Sequence, residues 1–138
     1  MRRILVAMLV AAATVAVPVG GAAATSPIVR LTIIHFVSGC HVWQVGDRNL
    51  GASAKITLKR GTRLEIRPNC PMDFDFRQVA GPRLALGATR TYAGTTRAIV
   101  FAKRGVYKLA ATNVQTSEQQ GLQTLGADNA LTLTVVVR

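Results

Sequence analysis

The sequence predicts an all-β protein, a single β-sandwich domain that follows a short export signal. Apolar and polar residues alternate in several short segments, which is the period of a half-buried strand. Glycines, prolines and Lys-Arg-Gly turns separate these segments, and almost no part of the chain after Ala24 has a helical period. A length of 138 residues fits one ordinary domain and not two.

The segment 1–24 is the predicted export signal. Two arginines follow Met1, and an apolar run extends from Ile4 to Val17. Small residues then lead to Ala24, in the small-x-small pattern that precedes a signal peptidase site. The apolar run is shorter than the ~20 residues that a helix needs to span a bilayer. A cleaved signal is therefore predicted, with an uncleaved anchor as the alternative, and residues 25–138 form the exported domain.

The exported domain is strongly basic. The whole chain carries 17 Lys and Arg against 6 Asp and Glu, a formal charge of +11, and loss of Arg2 and Arg3 leaves +9. Such a charge predicts an anionic partner. Export argues against nucleic acid, and the aromatic residues, 5% of the chain, form no stacking platform among the basic ones. No second segment is apolar enough to span a membrane, so the expected location is secreted, periplasmic or cell-envelope.

Seven segments of the domain have strand character, which predicts an antiparallel sandwich of six or seven strands. The segment Arg63–Arg67 alternates strictly, and Pro68 is expected to end it because proline cannot donate to a ladder. Asp73–Arg77 places two phenylalanines on one face and three charges on the other. Residues 80–94 and 115–129 are predicted to be long connections. The predicted strands are 28–37, 54–58, 63–67, 73–77, 96–101, 106–112 and 131–137.

Two cysteines, Cys40 and Cys70, are the only ones in the chain. In an oxidising compartment they predict a disulfide, which would close a loop of about 31 residues and contribute ~3–4 kcal/mol by the chain-entropy estimate. The alternative is a metal site. Both thiols, together with His41 and Met72, are soft or borderline ligands that suit Cu(I), or Zn(II) without the thioether, and His35 is a further candidate.

Two parts of the chain resemble the cupredoxin family. The segment 56–69 has the pattern apolar-x-apolar, Lys-x-Gly-Thr, an alternating strand and then Asn. Phe101, Gly105 and Tyr107 form a Phe-x-x-x-Gly-x-Tyr hairpin, and 131–135 resembles the last strand of the family. The resemblance implies a Greek-key β-sandwich, the fold expected for residues 25–138.

The resemblance also implies that type 1 copper is absent. Cupredoxins bind this copper through two His, one Cys and usually a Met. The Cys position falls on Ala111, and the first His position falls on Met72. The second His and the Met belong to the loop 115–129, which contains neither residue type. No cofactor is therefore expected, with copper held by the soft ligands named above as the alternative.

The sequence offers little support for catalysis. Neither histidine belongs to a triad or nucleophile-elbow motif. Asp73 and Asp75 lie two residues apart on one strand, so both face the same side. They form either a paired-carboxylate or cation site, or a solvated face that pairs across the sheet with arginines, and the second interpretation is favoured. We expect no enzyme.

The two Lys-Arg-Gly turns are the candidate partner contacts. The resemblance implies that the strands after Lys59-Arg60 and Lys103-Arg104 run side by side, which would gather four charges at one end of the sandwich, away from the copper position. Lipid headgroups, cell-wall polymers or an acidic protein would be attracted there, although such turns are often merely solvated. The predicted function is a non-enzymatic binding or structural module of the bacterial envelope or exterior. The alternatives are a copper-binding protein and, less favoured, a small secreted protease inhibitor.

Overall fold

A computed structural model describes residues 25–36, 40–114 and 130–138, with the exception of the Cys40 side chain. Two five-stranded sheets face each other in this part of the chain, and it contains no helix. The β-sandwich predicted from the alternation is therefore confirmed. The predicted signal, residues 1–24, and the predicted connection 115–129 lie outside the described residues. Among the described residues, no helix has the length and apolarity that a bilayer span requires.

Ten strands build the two sheets. Sheet A has the order β3-β2-β1-β5-β8, and sheet B has the order β4-β10-β9-β6-β7. The strands are β1 (Ile28–Phe36), β2 (Cys40–Val45), β3 (Arg48–Gly51), β4 (Ser53–Leu58), β5 (Arg63–Asn69), β6 (Asp73–Ala80), β7 (Arg90–Thr91), β8 (Arg97–Val100), β9 (Gly105–Val114) and β10 (Ala130–Val137).

Both sheets are mixed, which corrects the prediction of a purely antiparallel sandwich. β1 runs parallel to β5, from Ile28 opposite Arg63 to Ile34 opposite Asn69. β10 likewise runs parallel to β4. The chain crosses from sheet B to sheet A between β4 and β5, so these consecutive strands do not pair with each other. Alternation shows which face of a strand is buried, but it carries no information on the direction of the neighbouring strand.

Three strands were not predicted, and several are longer than expected, among them β5, β6 and β9. β2, β3 and the two-residue β7 have no sustained alternation. β5 continues through Pro68, which lies opposite Ile33 of β1. The Pro68 carbonyl accepts a hydrogen bond from the amide of Gly94 (2.8 Å) rather than from β1. The backbone nitrogen of a strand residue points to the same side as its carbonyl, so the missing N–H of Pro68 costs the β1–β5 ladder no bond.

The core lies between the two sheets. It is formed by the inward residues of every long strand, and Trp43, Tyr107, Phe74, Phe76 and Phe101 are its largest members, each at most 2% exposed. The indole Nε1 of Trp43 on sheet A donates to the carbonyl of Thr132 on sheet B (2.9 Å). This bond satisfies the polar end of the largest buried side chain and ties the two sheets together.

Candidate functional site

The two predicted basic turns meet at one end of the sandwich. The amide of Gly61 donates to the carbonyl of Phe101 (2.8 Å), and the amide of Phe101 donates to the carbonyl of Thr62 (3.2 Å). The amide of Arg60 donates to the carbonyl of Arg138 (3.0 Å). The strands that follow the turns, β5 and β9, lie in different sheets, so the expectation that they run side by side is wrong. The turns meet because both connect one sheet to the other.

A second loop joins the same end through two glycines. Gly81 has a φ of +105° and lies so close to the carbonyl of Val106 that a Cβ would collide with it. Gly105 has a φ of +146°, and a Cβ there would lie 2.9 Å from the ring of Pro82. Only glycine permits both this backbone and this approach. Pro82 therefore packs against the start of β9, and Arg83 follows it at this end.

The hairpin motif fixes the Lys103-Arg104 turn. The Tyr107 hydroxyl donates to the carbonyl of Lys103 (2.6 Å), and the Tyr107 and Phe101 rings meet edge to face with centroids 5.0 Å apart. The backbone of the turn is thereby anchored to the core while its two cations are exposed to solvent. We call the following residues the basic end: Lys59, Arg60, Arg83, Lys103, Arg104 and Arg138.

The side chains of the basic end are exposed and have no acidic partner in the described part of the chain. The ion pairs among the described residues join Arg30 and Arg63 to Glu65, and Arg90 to Asp75. None of them includes a member of the basic end. Arg83 and Arg138 were missed from the sequence because each is distant along the chain from the turn that it joins. Their charges are thus available to a partner.

The other candidate residues lie in the opposite half of the sandwich, which we define by His41, Cys70, Met72, Asp73 and Arg97. His41 is fully buried and lies opposite His35 on β1. Its ring contacts the edge of His35, with centroids 5.1 Å apart, and that of Phe74, with centroids 5.4 Å apart. The imidazole of His41 is thus a packed element of the core.

Cys70 and Met72 follow β5; Met72 belongs to the core and Cys70 packs against it. Cys70 is half-buried, and its Sγ lies 3.9 Å from the carbonyl of Met72. Burial raises the pKa of the Cys70 thiol, so the reactive thiolate is disfavoured. Met72 is 1% exposed, and its sulfur accepts a hydrogen bond from Nδ2 of Asn113 (3.0 Å). The thioether is therefore directed into the protein.

The predicted Cys40–Cys70 disulfide stays a prediction. Cys40 begins β2 and lies opposite Phe36 of β1, whereas Cys70 follows β5 on the other side of β1. A bridge between them therefore has to reach across β1. The Cys40 side chain lies outside the described part of the chain.

Ala111 and Met72, two positions at which the resemblance places copper ligands, lie at different levels along the β6–β9 pair. Ala111 lies opposite Phe76, in the middle of β6, whereas Met72 precedes β6 and contacts Asn113. Neither Ala111 nor Asn113 is a thiol. In the described part of the chain, no three His, Cys, Asp or Glu side chains gather in a way that could hold a metal. The copper alternative with Cys40, His41, Cys70 and Met72 stays a prediction.

Asp73 and Asp75 each have a partner within the chain. Asp75 and Arg90 form a bidentate pair (3.0 and 3.2 Å) across the β6–β7 register, and this pair lowers the pKa of Asp75. Asp73 is buried and accepts the backbone amide of Ala93 (2.8 Å). The favoured interpretation, pairing with arginine across the sheet, is confirmed for Asp75. Asp73 instead holds the turn after β7.

Arg97 is a buried cation that the sequence did not single out. Its guanidinium donates to the Thr91 hydroxyl (2.6 Å) and stacks over Phe76 at 5.0 Å from the ring centroid. It also donates to four backbone carbonyls, those of Leu86, Ala88, Thr89 and Arg90. Burial lowers the pKa of Arg97. This residue organises the backbone of the segment 86–91.

No family model matches the sequence, and no curated protein is significantly similar to it. Solved structures with a similar fold include a purple cupredoxin from Nitrosopumilus maritimus (15% identity, 78% of this chain and 98% of that chain, TM-score 0.46). Reduced rusticyanin is also similar (10%, 83% and 81%, 0.44), as is a cysteine protease inhibitor from Entamoeba histolytica (14%, 84% and 100%, 0.41). All three TM-scores are below 0.5.

Proposed function

We propose that this protein is an exported, non-enzymatic β-sandwich module that binds an anionic surface of the cell envelope through the basic end. The observation that carries the proposal is the direct backbone contact between the two turns, from Gly61 to Phe101. It brings Lys59, Arg60, Lys103 and Arg104 together although the two pairs are far apart in the chain. A cluster of cations on a rigid frame attracts anions by long-range electrostatics.

The distribution of charge partners supports a role outside the domain for this end. Asp75 and Asp73 are engaged by Arg90 and by a backbone amide, and Glu65 pairs with two other arginines. The basic end has no such partner among the described residues. The engagement of both aspartates also supports a non-enzymatic role, because neither is left to act as an acid or a base.

The experiment measures binding of the purified protein to vesicles of phosphatidylglycerol and phosphatidylcholine, and to soluble polyphosphate. A basic residue near an anionic membrane contributes about 1 kcal/mol, so Lys59→Gln with Arg60→Gln is expected to weaken vesicle binding about 30-fold at low salt. Binding to polyphosphate should weaken in the same direction. Both should decline at high salt, because a Debye length of about 10 Å at 0.1 M screens exposed charges.

A matched control removes the same charges elsewhere. Lys55 and Arg77 are exposed on the outer face of sheet B and form no ion pair with described residues. Lys55→Gln with Arg77→Gln is expected to weaken binding less than about threefold, because only the net charge changes. Equal losses in the two double variants, or binding that is insensitive to salt, would overturn the proposal.

A further inference from the structure

We infer that the anionic surface is a lipid bilayer, and that the basic end inserts apolar side chains into it. This inference rests on the proposed function and goes beyond it, since charge alone does not distinguish a bilayer from a polymer. Four exposed large hydrophobic residues surround the basic end: Ile28, Val79, Val100 and Val106, which are 48%, 56%, 55% and 51% exposed. Exposed apolar side chains beside cations are the composition of a surface that lies in the headgroup region.

Two of these residues share one row on the outer face of sheet A. Ile28 is the first residue of β1, and Val100 is the last residue of β8. Both lie opposite Arg63, one on each side, so the three side chains leave the sheet in the same direction. The turn that contains Lys103 and Arg104 begins directly after Val100. The apolar row therefore lies at the border of the basic end.

The other two apolar residues lie at the same end on sheet B. Val106 is the second residue of β9, directly after the Lys103-Arg104 turn, and its neighbour across the ladder is Val136. Val79 is the penultimate residue of β6, in the chain that leads to Arg83. Apolar residues thus border the cations on both sheets. If the basic end faces a bilayer, the apolar residues of both sheets can contact it at the same time. A narrow polymer would contact the apolar residues of only one sheet.

The course of the chain favours a membrane over another anionic surface. The carbonyl of Pro27 accepts a hydrogen bond from the amide of Arg63 (2.9 Å), so the chain enters β1 at the basic end. The predicted export signal, with its apolar run Ile4–Val17, immediately precedes this point in the sequence. Before cleavage, or if the signal is kept as an anchor, the segment expected to insert in the bilayer joins the domain at the end that carries the cations.

The test separates insertion from charge attraction. Val100→Thr with Val106→Thr keeps the shape and strand preference of both residues but replaces one methyl group of each with a hydroxyl. It is expected to weaken binding to phosphatidylglycerol vesicles about tenfold and to leave polyphosphate binding unchanged. The control, Phe36→Thr with Tyr92→Thr, removes more apolar surface from the two large exposed hydrophobics away from the basic end and is expected to change neither.

The fluorescence of an introduced tryptophan reports the insertion directly. The single native tryptophan, Trp43, is fully buried, so its emission should not change when vesicles are added. Val106→Trp is expected to shift its emission to the blue when phosphatidylglycerol vesicles are added, and Tyr92→Trp is not. No blue shift together with undiminished vesicle binding of the Val100→Thr, Val106→Thr variant would overturn insertion. In that case the proposed function would stand if Lys59→Gln with Arg60→Gln still weakened binding to vesicles and to polyphosphate. It would be refuted if the Lys59→Gln, Arg60→Gln variant bound both of them normally.

Discussion

Arginine has opposite uses in the two parts of this sandwich. In the opposite half, Arg97 is 8% exposed and its guanidinium is surrounded by four backbone carbonyls, a threonine hydroxyl and the Phe76 ring. At the basic end, Arg60 and Arg104 are exposed and their side chains have no acidic partner in the described ranges. The same cation stabilises the fold in one place and is left to the surroundings in the other.

The comparison separates residues that hold the fold from residues that are available to a partner. A buried polar group must be satisfied within the chain, so substitution there leaves its neighbours without hydrogen bonds and costs stability. An exposed cation costs little to remove from the fold, and its substitution changes interactions with other molecules. We therefore expect variants of the opposite half to lower the free energy of unfolding, and variants of the basic end to lower binding.

The largest expected effect is that of Arg97→Ala. It leaves four carbonyls and the Thr91 hydroxyl without their donor, and we expect the free energy of unfolding to fall by about 3–5 kcal/mol. Urea denaturation followed by Trp43 fluorescence measures the change. Arg77→Ala, on an exposed outer face with no ion-pair partner among the described residues, is the control and should stay within about 0.5 kcal/mol of the parent protein. Similar losses for both variants would contradict the distinction between the two regions.

The second effect concerns the two cysteines. If Cys40 and Cys70 form the predicted disulfide, reduction is expected to lower the free energy of unfolding by about 3–4 kcal/mol. Intact-mass measurement with thiol alkylation counts the free thiols, and Cys70→Ser under the same reductant is the control that should show no further loss. A bridge would also consume both thiol ligands of the copper alternative.

Two free thiols in the protein would refute the bridge. The Cys70 thiol should then be alkylated slowly near neutral pH, because burial raises its pKa. Titration with Cu(I) would follow, and affinity no tighter than that of a Cys70→Ser, Met72→Leu variant would remove the copper alternative as well.

The smallest effect is that of the Asp75–Arg90 pair. Arg90 lowers the pKa of Asp75 below its ordinary value of 3.8, so the pair contributes stability above that pH and loses it as the pH falls through the lowered value. Asp75 is largely solvated, so Asp75→Asn should cost less than about 1 kcal/mol at pH 7 and flatten the decline of stability below pH 4. Unfolding midpoints between pH 2 and pH 7 measure this, and an unchanged acid dependence would show that the pair is not responsible.

The elements with sustained alternation were predictable, and those stabilised by distant contacts were not. Local alternation alone predicts strands at Arg63–Arg67 and Leu131–Val137, because one face of each segment is apolar. β7 has only two residues, and it exists because Arg90 and Thr91 lie against β6 and are held there by Arg97. In the same way, the sequence shows two basic turns, whereas their union with Arg83 and Arg138 depends on the contacts of Gly61, Gly81 and Gly105.

The sequence by itself determined the fold class, the excess of positive charge and the departure from the copper ligand pattern, since each depends on residue types and short spacings. The tertiary structure alone decided the parallel pairs β1–β5 and β4–β10, the burial of His41 and Arg97, and the grouping of the cations at one end. The physical reason is that strand alternation is a local property, set by one buried face. Strand direction, the partner of a buried polar group and the shape of a charged surface depend on residues far apart in the chain, which only the crossing connections between the sheets bring together.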